Sequence, residues 1–165
     1  MNWIITWDNS QKTKRLRYPT DLGGILLPIF EELIGFNWLV SDIETTFMQD
    51  IDFPINYEEE YFILPKQEFI KVLNAHLQVI WGVFIAIPTK FDIKIEETEI
   101  PYSECKDEIW EEDQFQHINA QIEIICFDGS YTIIKFRDKS LSDKFISTCP
   151  EAINLDKFNL KNSQA

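Results

Sequence analysis

Apolar and polar positions change period several times along the chain, and each period predicts an element. Residues 2–7 (NWIITW) are β-branched and aromatic and predict a first strand. The polar, basic residues 9–17 follow as a turn or exposed edge. Thr20 and Asp21 can cap a helix to about Leu33, with Leu26, Phe30 and Leu33 at helical spacing. Gly23 and Gly24 interrupt that pattern, Pro28 predicts a kink, and Gly35 ends it. Residues 36–41 (FNWLVS) predict a second strand and residues 45–48 a short third one, before an acidic loop over 50–60 that contains Pro54. Residues 65–77 predict a helix with Pro65 near its first turn and Phe69, Val72, Leu73, His76 and Leu77 on one face.

Residues 78–87 (QVIWGVFIAI) are almost continuously apolar and strand-sized, which predicts a strand covered on both faces at the centre of a sheet. Residues 96–113 form an acidic excursion with Pro101, ending in a short helix around 105–112. Two β-rich runs, 120–127 and 131–137, are joined by Asp128-Gly129, the dipeptide that suits a type I′ hairpin turn. A two-residue turn would pair Phe127 with Ser130, Cys126 with Tyr131 and Ile124 with Ile133. That register puts Ile122, Ile124, Cys126, Tyr131 and Ile133 on one face. It puts Ile125, Phe127, Ile134 and Phe136 on the other, beside Glu123 and Thr132. Ser140 then caps a helix to about Thr148, stopped by Pro150. Residues 61–64 and 91–95 have strand character but are left out of the element order, which reads β-α-β-β-α-β-β-β-α. Hairpin-like neighbours and few crossover helices predict an α+β fold: a mainly antiparallel sheet flanked by about three helices. It is expected as a single domain over 1–158, with a frayed tail over 159–165.

Charge narrows the possible partners. The 165 residues carry 15 Lys+Arg against 28 Asp+Glu, a net charge of −13. Direct contact with nucleic-acid phosphates or an anionic membrane is therefore disfavoured, and a basic protein partner is favoured. Solubility alone would also account for the acidity. Two tracts dominate. Residues 42–60 carry Asp42, Glu44, Asp50, Asp52, Glu58, Glu59 and Glu60 with no base, and residues 92–113 carry ten acids against Lys94 and Lys106. The basic side chains Lys12, Lys14, Arg15 and Arg17 gather near the N-terminus.

Candidate chemistry is sparse. The only histidines, His76 and His117, are 41 residues apart, so neither HxH nor HExxH occurs. His76 reads as a core or rim residue and His117, in QFQHIN, as a surface residue without a nameable catalytic partner. Asp128-Gly129-Ser130 is explained by its turn and lacks the GxSxG of a nucleophile elbow. Asp50-x-Asp52 is not followed by the Gly and Glu of a calcium loop, and GxxxxGK[ST] and GxGxxG are absent. With 28 acids, carboxylate pairs carry no glycosidase signal. Cys105, Cys126 and Cys149 are widely spaced with no CxxC, a pattern of reduced thiols in a cytosol. The N-terminus lacks the order of a secretory signal, and no apolar run approaches the ~18–20 residues of a membrane span. No metal, cofactor or enzymatic activity is expected.

The segment ECKDEIWEED, 104–113, is the most suggestive. Trp110 flanked by Asp107, Glu108, Glu111, Glu112 and Asp113 has the make-up of an interface: an aromatic anchor with charges that steer a partner of opposite sign. The competing reading is a solvated acidic helix whose aromatic tucks into the core. Glu58, Glu59 and Glu60, between Tyr57 and Tyr61, repeat the pattern.

The layout resembles small acidic bacterial immunity-type proteins. It is also similar to an uncharacterised family of small bacterial cytosolic proteins. The early segment Gly24-Ile25-Leu26-Leu27-Pro28-Ile29, the nearby Trp38 and the late run Ile125-Cys126-Phe127-Asp128-Gly129-Ser130-Tyr131-Thr132-Ile133 carry this second likeness. These motifs are structural. The immunity resemblance implies binding of a cognate toxin in the cytoplasm rather than catalysis. The alternatives are a general interaction or regulatory module and a small hydrolase using His117.

Overall fold

Among the described residues seven strands form one sheet in which every neighbouring pair is antiparallel, in the order β3-β2-β4-β5-β6-β1-β7. The computed structural model describes residues 1–46, 54–75, 77–104 and 107–162. The strands are β1 (Asn2–Thr6), β2 (Phe36–Thr45), β3 (Tyr61–Leu64), β4 (Val79–Pro88), β5 (Ile122–Phe127), β6 (Tyr131–Phe136) and β7 (Ile153–Asn154). The α-helices are α1 (Trp7–Ser10), α2 (Leu22–Leu26), α3 (Lys66–Ala75), α4 (Lys139–Thr148) and α5 (Leu155–Asn162). The class is the expected α+β, with five α-helical segments among the described residues rather than about three. Of the extra ones, α1 overlaps the start of the turn expected over 9–17, and α5 runs from Leu155 to Asn162, into the first residues of the tail expected over 159–165.

The first face of the sheet is closed by α2, the 3-10 helix Leu27–Leu33, α3 and α4. Asp21 caps α2, its carboxylate accepting from the Gly24 amide at 3.0 Å and the Arg17 amide at 3.1 Å. Glycine is required at 24, because a Cβ there would lie 2.8 Å from Leu16 Cδ2 and 2.9 Å from the Asp21 carboxylate. Pro28 does break the helix: the chain tightens into 3-10 geometry and Ile29 leaves helical dihedrals altogether. Helix α3 buries Phe69, Val72 and Leu73, and Phe69 stacks on Trp38 with ring centroids 3.9 Å apart. Burial of each such side chain contributes about 1.5–3 kcal/mol. Helix α4 is capped by Asp138, not Ser140, through the Leu141 amide at 2.8 Å.

Three local expectations need correction. Thr45 ends β2 instead of opening a third strand, and Met48 lies outside the described residues, as does His76. Residues 91–95 form no strand, whereas 61–64 do. The hairpin register is shifted by one residue. Asp128 and Gly129 have φ of 51° and 60°, as the expected tight turn requires, but Phe127 pairs with Tyr131 and Ile125 with Ile133. Ser130 is an extra, unpaired residue. It turns β6 over, so Ile122, Ile124 and Cys126 share the first face with Ile134 and Phe136. Ile125, Phe127, Tyr131 and Ile133 line the second face, with Glu123 opposite Lys135.

The second face is closed by the long connection from β4 to β5 and by α5, through Ile109, Trp110, Phe115, Leu155 and Phe158. Both faces of β4 are covered over Val83–Ile87, as its sequence predicts.

Candidate functional site

The acidic connection is held to the sheet by its backbone, which leaves its carboxylates facing water. The buried Lys135 ammonium donates to the carbonyls of Glu108 at 3.0 Å and Gln114 at 2.6 Å, and lies 3.3 Å from the buried Glu123 carboxylate. Glu123 in turn accepts from the Gln116 amide at 2.7 Å. Desolvation lowers the Lys135 pKa from its ordinary value, and the Glu123 charge works against that shift. Asn159 of α5 donates to the Trp110 carbonyl at 2.8 Å.

Asp107, Glu108, Glu111, Glu112 and Asp113 are all exposed around the 3-10 turn Asp107–Trp110. Glu112 and Asp113 lie 3.4 and 3.6 Å from the N-terminal ammonium. A hydrogen bond shared with Asp156, desolvation and the Asp156 charge raise the Glu112 carboxyl above its ordinary pKa. Trp110 points inward: its ring packs on Phe127, Tyr131 and Phe158 at 5.5, 6.3 and 6.4 Å. The acids and the aromatic of this segment thus face opposite ways, so Trp110 is a strut of the second core and the ridge is a row of carboxylates.

The second acidic tract lies elsewhere. Glu58, Glu59 and Glu60 are exposed just before β3. Glu59 and Glu60 line a hollow of about 490 Å³ together with Asp42, Ile43, Glu44, Tyr57, Trp81, Tyr102 and Glu104. The site's geometry starts with a bulge. The β2–β4 register shifts between Ser41 and Glu44, and Asp42 has φ of 52°. The Asp42 carboxylate accepts from both the amide and the hydroxyl of Ser103, while the Ser41 hydroxyl donates to the Pro101 carbonyl at 2.7 Å. These bonds stitch the connection to β2 and set Tyr102 and Glu104 beside Asp42. The Tyr57 hydroxyl shares a hydrogen bond with Thr45 at 2.6 Å, which fixes the opposite wall. Trp81, half-buried on β4, packs edge-on against Phe127 at 4.7 Å.

Asp42, Glu44, Glu59 and Glu60 come from the tract over 42–60 and Glu104 from the tract over 92–113. None of the five makes an ion pair among the described residues. Of the residues expected as a site from sequence, only Glu59 and Glu60 line the hollow; Glu58, Asp107, Glu108, Trp110, Glu111, Glu112 and Asp113 do not. Asp42, Glu44, Trp81, Tyr102 and Glu104 join the hollow with no local sequence signal of their own. The acidic tracts were visible, but a β-bulge and a cross-connection decide which of their residues meet.

Among the described residues no group of three or more His, Cys, Asp or Glu is placed to hold a metal ion, and no helix is long and apolar enough to cross a membrane. Burial lowers the His117 imidazole below its ordinary value, against the opposing charge of Glu99, and its Nδ1 accepts from the Asn119 amide at 3.1 Å. Desolvation pushes the buried thiols of Cys126 and Cys149 up to about 12 and about 11, so both are protonated and unreactive at neutral pH. Cys105 lies outside the described residues. Comparison with protein-family models, curated proteins and solved structures finds no match.

Proposed function

We propose that this protein is a binding protein of the immunity type, which neutralises a cognate basic toxin domain by laying carboxylates over the cationic surface that the toxin uses for its own substrate. The observation that carries the reading is the meeting of two acidic tracts at one hollow, with a separate exposed carboxylate ridge at 107–113, on a chain of net charge −13. Opposed fields accelerate encounter and select a basic partner over acidic ones. The reading places the protein in the cytoplasm, where free, widely spaced cysteines stay reduced. It assigns no catalytic residue, cofactor or metal, and neither nucleic acid nor membrane as a direct ligand.

The test is genetic and then biochemical. DNA flanking the reading frame is sequenced, and an adjacent gene ending in a small basic domain is co-expressed with this chain. The expected result is rescue of growth and a complex whose affinity falls steeply with salt. Charge reversal at Glu111 and Glu112, or at Glu59 and Glu60, should weaken the complex and flatten its salt dependence. Metabolic neighbours only, or no complex with the adjacent basic domain, would overturn the reading. A general interaction module would instead bind a basic protein that is not toxic.

A further inference from the structure

We infer that the hollow between β2, β4 and the 57–60 and 102–104 segments is a receptor for a single arginine side chain projected by the basic partner; the inference rests on the function proposed above and names the part of the partner that is read. Acidity alone would be solvated surface charge. What distinguishes this place is concavity and ring surface. At about 490 Å³ it falls within the size range of small-ligand pockets, about 300–1,000 Å³. Its walls carry Tyr57, Trp81 and Tyr102 among the carboxylates. Tyr57 and Tyr102 are well exposed, at 57% and 41%. Trp81 keeps part of its ring uncovered although it stands on β4, whose residues from Gly82 to Ile87 are all buried. The connection that covers the second face therefore stops short at this end of the sheet.

The lining selects among cations. The carboxylates come from three separate segments: Asp42 and Glu44 from β2, Glu59 and Glu60 from the stretch before β3, and Glu104 from the long connection. They suit a charge spread over a larger group. A guanidinium is flat, stacks on aromatic faces, is weakly hydrated and presents five donors, so it can use rings and carboxylates together. A lysine ammonium, compact and strongly hydrated, gains less from the same walls. Two walls are fixed in advance by Asp42 with Ser103 and by Tyr57 with Thr45, so an entering side chain need not order them.

The test uses the full chain and two probes, the peptide acetyl-Gly-Arg-Gly-amide and its citrulline counterpart, which keeps the shape and loses the charge. Proton–nitrogen correlation spectra are followed during titration, with the Trp81 indole N–H assigned through Trp81→Phe. The expected result is a saturable shift of that signal with the arginine peptide and none with citrulline. Glu59→Gln, Glu60→Gln and Glu104→Gln combined should weaken binding about tenfold or more while the urea midpoint stays in place. Equal response to citrulline, or no response at Trp81, overturns the inference. If the shifts fall on residues 107–113 instead, the hollow is excluded while a basic-partner function survives through the ridge. If neither place responds, the hollow is again excluded, and the co-expression experiment decides the function separately.

Discussion

Glu123 and Lys135 stand directly opposite each other in the β5–β6 ladder, both fully buried, with carboxylate and ammonium 3.3 Å apart. The pair exists because Ser130 is an extra residue in the hairpin. In the unbulged register Glu123 would face Ile134, and Lys135 would lie on the other side of the sheet. A slip of one residue thus decides whether the acidic connection has an anchor.

Lys135→Met should cost about 3–5 kcal/mol, because it strands the Glu123 charge in the core and leaves the Glu108 and Gln114 carbonyls without their donor. Adding Glu123→Leu should restore part of that loss, since a missing pair is cheaper than half of one. Urea unfolding of the single and double variants checks both statements; equal stability of Lys135→Met and the parent would contradict the buried anchor.

Deleting Ser130 should be no more damaging than Gly129→Ala. The substitution places a Cβ at φ of 60° with its nearest neighbours at 3.4 Å, so its cost is backbone strain of about 1–2 kcal/mol. The deletion leaves the two-residue turn Asp128-Gly129 joining Phe127 to Tyr131, the pair already observed, so β6 keeps both its register and its faces. A native-like cooperative urea transition is expected, and a deletion variant that lost it would refute the reading of Ser130 as the extra residue.

Trp110→Ala should lower stability by about 2–3 kcal/mol, below the range for a fully buried Trp, because its ring fills the space between Phe127, Tyr131 and Phe158. Its effect on partner affinity should be smaller than that of reversing Glu111 and Glu112. Thermal unfolding beside a binding titration separates the two roles.

His117 gives the protein a pH signature. Its folded value lies below the ordinary 6.5, so the unfolded chain takes up the proton first as pH falls. The stabilising contribution is complete above 6.5 and is lost as pH drops through the folded value. His117→Asn, which can keep an acceptor near the Asn119 amide, should flatten the part of the stability curve between about pH 7.5 and 5. Unfolding midpoints across that range provide the measurement. Parallel curves for parent and variant would refute the assignment.

Phe69→Ala should cost about 3–5 kcal/mol by opening the contact with Trp38 and leaving a cavity under α3. A midpoint shift under a third of that size would mean that Trp38 packs elsewhere.

Local pattern by itself determined the α+β class, the central place of β4, helix α3 and the tight turn at Asp128-Gly129. Each follows from periodicity or dihedral preference that neighbouring residues impose on one another. The hydrophobic run 79–87 has to be covered on both faces wherever it lies, and Gly129 has to supply its positive φ. Tertiary structure alone decided the register after Ser130, the inward turn of Trp110 and the meeting of Glu104 with Asp42, Glu44, Glu59 and Glu60. A bulge changes no composition and leaves no periodic trace, and an acidic tract reads the same whether it closes a hollow or lines a ridge. The separation arises because helix and strand periods are short-range properties. Which carboxylates share a surface depends on contacts between residues some 60 positions apart, such as Asp42 with Ser103.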